Sequence, residues 1–242
     1  MNHKINVTSW YEHAGRGEDD CYPEGMNAAI AGFLSRSGEF AAVREASFPQ
    51  PDHGLGDEVL NDTDVLVWWG HSKHGLVSDE IVEKIQKRVL NGMGLIVLHS
   101  AHASKIFRRL MGTNTHKLRW RDIGERERIW TIAHHHPITD GVPEYFDLPH
   151  SEMYGECFHI PPPDELVFIS WYEGGEVFRS GCTFTRGLGK IFYFSPGHEC
   201  YPIFNIPEIQ RIIINAAKWA APVSYREIIY DHQPVSPEDM YR

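Results

Sequence analysis

Two short runs without a polar residue constrain this chain most: Val65–Trp69 and Gly94–Leu98. A strand that is apolar at every position is buried on both faces, as in parallel sheets covered by helices. Helical patterns surround these runs. Pro23–Ser35 carries Met26, Ala29, Ile30, Phe33 and Leu34 at helical spacing. Ser78 and Asp79 can cap a helix over Glu80–Leu90, whose Ile81, Val82, Ile85 and Val89 share a face. Ser104–Met111 reads as a short helix with Ile106, Phe107 and Leu110 inward. With strands at Ile5–Trp10 and, more weakly, Phe40–Glu45, the first half reads β-α-β-β-α-β-α. A polar, glycine-containing loop follows the first strand, and Gln50–Asp57 reads as loop. This alternation predicts a mainly parallel sheet with helices on both faces.

The second half alternates instead. Arg126–Ala133, Leu166–Tyr172, Glu176–Thr185 and Lys190–Ser195 read as strands. The turn at Arg186–Gly189 makes the last two an antiparallel hairpin. Pro207–Ala220 closes with a helix, so one domain is expected over residues 1–222, with a loosely packed tail over 223–242. The net charge is −10 and no basic tract is present, which argues against nucleic acid as a partner. No apolar run is long enough to span a bilayer, so no membrane partner is expected. The start, MNHKINVTSW, lacks the basic-then-apolar pattern of a leader. Cys21, Cys157, Cys182 and Cys200 form no CxxC pair. A reduced, cytoplasmic setting is the expectation.

Composition enters the argument through histidine, 15 residues of 242. Several of these follow predicted strands: Glu12-His13 after the first, His71 and His74 after Val65–Trp69, His99-Ser100-Ala101-His102 after Gly94–Leu98, and His198-Glu199 after Ile191–Ser195. Open α/β sheets bind ligands outside the carboxyl ends of their strands. If these strands are parallel, these side chains converge on one crevice. Each also has a plainer reading. His71 and His74 can be solvated loop residues, His99 or Ser100 can cap a helix, and His198-Glu199 can be a surface pair. His134-His135-His136-Pro137 reads as loop, and His3, His53, His116 and His232 carry no signal. The mixed-charge stretch of Arg119, Arg121, Glu125, Arg126, Glu127 and Arg128 reads as a solvated ion-pair surface or a subunit interface of a homo-oligomer.

Four segments carry a resemblance. Asp64–His71, Gly94–Ser100, Glu152–Glu156 and Phe192–Glu199 look like the ThuA family of trehalose-utilisation proteins, over about Lys4 to Ala220. The resemblance implies a flavodoxin-like, class I glutamine-amidotransferase-like three-layer α/β sandwich with an antiparallel extension. It also implies a place in the use of trehalose and related disaccharides, alongside oxidation to keto-sugars. The wider superfamily sets a nucleophilic Cys on the strand-to-helix turn. Here that turn is Leu98-His99-Ser100-Ala101-His102, with neither a Cys nor the glycines of a strained elbow. Thiolate-dependent glutamine hydrolysis is therefore not expected.

Several chemistries stay open. Ser100 is a candidate nucleophile with His198 as base and Glu199 as orienter, although adjacent His and Glu side chains rarely meet in extended chain. Histidines can instead act as acid and base on a carbonyl or hydroxyl, with Glu12, Glu152 or Glu156 assisting. His13, Trp69 and Tyr154 join those carboxylates as candidate contacts to a carbohydrate, with Trp68 and Trp171 as further stacking surface. A metal-assisted version places Zn²⁺ among His71, His74, His99, His102 and His198, with Glu199 as carboxylate. No nucleotide cofactor is expected. The reading of another class is a non-catalytic sugar-binding or assembly protein that has lost the nucleophile.

Overall fold

The computed structural model describes residues 5–13 and 21–223, and three isolated positions further on (235, 236 and 238). The glycine-containing loop after the first strand and nearly all of the C-terminal tail lie outside the described residues.

Five strands form a parallel system: β1 (Asn6–Tyr11), β2 (Ala42–Ser47), β3 (Val65–Trp69), β4 (Gly94–Leu98) and β9 (Gly189–Phe194). Four more are antiparallel: β5 (Arg119–Thr131), β6 (Tyr145–Gly155), β7 (Glu165–Tyr172) and β8 (Val177–Arg186). Together they make one nine-stranded sheet in the order β2-β1-β3-β4-β9-β8-β7-β5-β6. The first five places follow the doubly wound pattern of flavodoxin-like folds. β9 joins the two systems, being parallel to β4 and antiparallel to β8.

The apolar runs are explained by the layers. Successive side chains of a strand point to opposite faces. Val65, Val67, Ile96 and Phe192 pack with Ile30 and Phe33 of α1 (Met26–Arg36) and Ile209 and Ile212 of α5 (Pro207–Ala220). Leu66, Leu95, Val97 and Ile191 pack with Ile85 and Val89 of α3 (Asp79–Leu90) and Phe107 of α4 (Lys105–Met111). Each fully buried side chain of this kind contributes about 1.5–3 kcal/mol. The cap expected at Ser78 is present, its Oγ accepting the Ile81 N–H at 3.3 Å. Gly94 is required where β4 begins, because a Cβ there would lie 2.5 Å from the Ala220 carbonyl oxygen.

The structure differs from the sequence expectations in three elements. A five-residue helix, α2 (Asp57–Asn61), lies in a stretch partly read as loop. β5 begins at Arg119, so the mixed-charge stretch is strand. There Arg121 pairs with Glu125 and Glu176, and Arg128 with Asp147. β6 was not expected as a strand. It carries Pro149, which cannot donate to a ladder, but β6 is an edge strand and its register slips around that point.

Candidate active site

The parallel system places the carboxyl ends of β1, β3, β4 and β9 along one edge of the sheet. Glu12, one residue past β1, is buried. It accepts the Ser72 N–H at 2.6 Å, the Ser72 hydroxyl at 3.0 Å and the Lys73 N–H at 3.0 Å. Burial raises its pKa, but these backbone donors outweigh that and hold the carboxyl below its ordinary value. Glu12 therefore fixes the turn after β3. His13 sits against it, Nε2 to Oε1 at 3.3 Å.

That turn presents His71. Its Nδ1 lies 2.5 Å from Glu199 Oε1. The hydrogen bond to Glu199 raises the His71 pKa against the opposing effect of burial. Burial would raise Glu199 in turn, but the bond and charge of His71, with His198, bring it to about 2.

After β4 the chain turns sharply. His99 has φ 53°, a left-handed conformation that a side chain other than glycine rarely adopts. The sequence offered no glycine for an elbow here; the elbow forms with His99 at its apex. Its Nδ1 faces the Ser195 carbonyl oxygen at 2.9 Å, which turns Nε2 toward Glu152 Oε2 at 3.1 Å. That Glu152 oxygen has no hydrogen bond of normal geometry, although the residue is only 7% exposed. Burial works against the Glu152 charge, yet the direct approach of His99 and then the charges of His99, His198 and His71 lower its pKa.

Gly197 turns the chain after β9 so that His198 enters the same space. It has φ 140°, and a Cβ there would meet the Phe204 ring at 2.7 Å. Its carbonyl accepts the Trp69 indole N–H at 2.8 Å. His198 Nδ1 accepts the Cys200 N–H at 3.2 Å, and burial lowers its pKa. The rings of His71, His99 and His198 meet edge to face. Their centroids are 5.8 Å apart for His71–His99, 5.1 Å for His71–His198 and 5.3 Å for His99–His198.

A cavity of about 240 Å³ opens beside this cluster, lined by His71, His74, Ser100, Glu152 and Tyr154 among others. The Ser100 hydroxyl is 2.7 Å from the Tyr154 hydroxyl, which in turn is 3.4 Å from His99 Nε2. Ser100 thus pairs with a phenol and not with an imidazole. His102 lines the cavity, but its Nδ1 is 3.1 Å from the His99 carbonyl oxygen, and burial pulls its pKa to about 3, so it is a neutral core histidine. His74 reaches the cavity and stands outside the three-ring cluster, its pKa lowered chiefly by burial. Trp69 is fully buried and stacks on His99 at 6.2 Å, so it backs the site and offers no face to a ligand. Glu156 is not brought in. Arg179 clamps it with bonds of 2.8 and 2.9 Å.

Residues without a sequence signal complete the site. His116, Leu118 and Trp120 line the cavity, with Trp120 67% exposed. Asp122 takes the Tyr201 hydroxyl at 2.5 Å and stands 3.8 Å from His198 Nε2. They precede or begin β5, and only the long-range pairing of that strand brings them here. Glu127, with no exposed surface, accepts hydrogen bonds from Ser151 at 2.6 Å and from Ser170 at 2.5 Å, and so anchors β6 next to Glu152.

The fold and this edge-of-sheet site define a doubly wound α/β protein with a histidine-rich crevice. The chain belongs to the ThuA family, described by trehalose utilisation, whose model matches residues 6–220. The fold class that the sequence resemblance implied is the one observed. Among solved structures, the chain is similar to a putative ThuA-like protein from Parabacteroides merdae, with a TM-score of 0.66, 15% identity, and 93% and 92% of the two chains covered. It is also similar to a cytoplasmic protein from Salmonella typhimurium LT2, with a TM-score of 0.61, 15% identity, and coverage of 90% and 99%. A β-galactosidase from Bacillus circulans matches at a TM-score of 0.54 and 11% identity, over 90% of this chain and 32% of that one. At these identities the likeness is one of fold. No curated protein matches the chain. Among the described residues, no helix is long and apolar enough to cross a membrane.

Proposed function

We propose that this protein is an enzyme of disaccharide or keto-sugar utilisation that moves a proton at a sugar carbon adjoining a carbonyl. The observation that carries this reading is the His71–Glu199 pair at 2.5 Å beside the cavity. With Nδ1 held by the carboxylate, Nε2 is the nitrogen left to exchange a proton with a ligand. In that role Nε2 takes a proton from the carbon next to the carbonyl. The C–H electron pair moves through an enolate to the carbonyl oxygen, and the proton then returns to the same skeleton. Glu199 balances the imidazolium in between. The Tyr154 hydroxyl, bonded to Ser100 at 2.7 Å, is a donor for the developing oxyanion. The cavity, about 240 Å³, is below the about 300–1,000 Å³ of sites for drug-sized ligands, which favours one sugar ring over a whole buried disaccharide. Trp120 supplies an exposed ring face for stacking. The Salmonella relative, described as a cytoplasmic protein, supports a cytoplasmic place for this one.

Trehalose and its 3-keto derivative, incubated with protein in deuterium oxide and followed by NMR, test the reading. Wild type should convert the keto-sugar or exchange its carbon-bound hydrogen, and His71→Gln should lose at least about 100-fold in rate. Binding of sugar without conversion or exchange would instead favour a non-catalytic binding protein.

A further inference from the structure

We infer that His99, Glu152 and His198 form a divalent-metal site, with zinc as the ion their donor atoms suit best. This deepens the proposed function by giving it a cofactor, and it stands on geometry of its own.

Two buried carboxylate oxygens carry the argument. Glu152 Oε2 and Glu199 Oε2 are both shut off from solvent and both lack a hydrogen-bond partner. An unpaired buried carboxylate oxygen is costly, and a cation or a donor normally meets it. His99 and Glu152 stand at ion-pair distance without a hydrogen bond of normal geometry between them. The Ser195 carbonyl oxygen at 2.9 Å assigns the neutral ring's proton to His99 Nδ1. Nε2 then carries a lone pair and stands 3.1 Å from Glu152 Oε2, with no proton between them. A cation between them turns that repulsion into two ligand bonds. An ion about 2.05 Å from both atoms subtends roughly 98° there, close to tetrahedral.

His198 supplies the third ligand, its donor atom lying within 4.8 Å of the other two. To offer Nε2 its ring must carry the proton on Nδ1, exchanging the long bond from the Cys200 N–H for one it donates. The acceptor is already placed, because Glu199 Oε2 is 3.7 Å from Nδ1. Metal loading thus gives both orphaned oxygens a partner. A carboxylate behind a ligating imidazole, and a backbone carbonyl behind the other, are the usual supports of a histidine–metal site. Three protein ligands leave a position open for water or a sugar oxygen.

The neighbouring group of His71, His198 and Glu199 is less suited. His71 Nδ1 and Glu199 Oε1 are 2.5 Å apart, a hydrogen-bond length. These two atoms already satisfy each other, which leaves this group without an orphaned pair for an ion to join. The ligand set therefore differs from the sequence expectation. Glu152 enters, and His71, His74 and His102 stay outside.

The test uses full-length protein without a histidine tag, equilibrated with zinc, dialysed against metal-free buffer and analysed by plasma mass spectrometry. Cobalt substitution adds a visible spectrum that reports tetrahedral coordination. Wild type should hold one zinc per chain. Glu152→Gln, matched in shape, should weaken zinc binding more than about 100-fold, and Glu199→Gln about 10–100-fold, with unchanged circular dichroism. His135→Ala, in the exposed run of histidines away from the site, should retain the metal. A wild-type protein that emerges metal-free, a Glu152→Gln variant that binds zinc as wild type does, or loss of the metal in His135→Ala overturns the inference. Metal-free protein that still converts a keto-sugar overturns this site and leaves the proposed function standing. Metal-loaded protein that converts none does the reverse.

Discussion

The two halves of the sheet handle polar chemistry in opposite ways. In the parallel half, β3 and β4 are buried at every position, and reactive side chains appear only where the strands end. In the antiparallel half, polar groups lie within the strands. Glu127 and Ser170 are fully buried mid-strand, and Glu152 leaves β6 before that strand finishes. At β3 and β4 the parallel half is therefore an apolar platform with a histidine-rich rim. The antiparallel half brings one edge strand to that rim, where Glu152 meets His99. A site assembled this way takes its imidazoles from one half and its key carboxylate, Glu152, from the other.

The largest test of this contrast compares one apolar deletion in each half. Ile96, buried at the middle of β4, should cost about 2–5 kcal/mol as Ile96→Ala, read from urea unfolding. Ile123 on β5 is 70% exposed, and Ile123→Ala should stay within about 0.5 kcal/mol. Equal losses would mean that Ile123 packs against a neighbour despite its exposure.

The same contrast decides what the sequence discloses. Uninterrupted apolar runs mark parallel strands, and the residue after each run is marked with them. The placement of His71, His99 and His198 at strand ends is legible in that way, and so is that of Glu199. Position along the chain could not reveal Glu152's partner, because His99 meets it across 53 residues and through a bulged edge strand. Pro149 hid β6, and α2 is too short for its pattern to stand out. His116 and Asp122 gave no local signal, since they reach the site only through the pairing of β5. The left-handed turn at His99 was unreadable because the usual mark of such a turn is glycine.

A middle-sized effect is expected at Glu127. Glu127→Ala leaves the Ser151 and Ser170 hydroxyls without their acceptor and should cost about 1–3 kcal/mol. Its titration sharpens the point. Burial raises the Glu127 pKa above the ordinary 4.5, against the bonds from Ser151, Ser170 and Tyr172. The folded chain therefore keeps this proton over a range where the unfolded chain has lost it. Its contribution is complete below the unfolded pKa and falls as pH rises through the folded value. Urea unfolding across pH 4–7 should show wild type losing stability, relative to Glu127→Gln, as pH increases. Parallel pH profiles would place Glu127 in a wetter setting than its burial indicates.

The smallest effect belongs to the outer face of the antiparallel half. Arg128 bonds Asp147 at 2.7 and 2.9 Å and lies over the Tyr145 ring at 4.5 Å, all near solvent. Exposed pairs of this kind gain little, because water and salt weaken the attraction and two long side chains lose freedom. Arg128→Ala should move the urea midpoint far less than Ile96→Ala, and 1 M sodium chloride should remove what shift remains. A shift that persists in salt would have to come from the guanidinium packing on Tyr145. The face would then hold its edge strand by contact area and not by charge, which a Tyr145→Ala variant should reproduce with the ion pair intact.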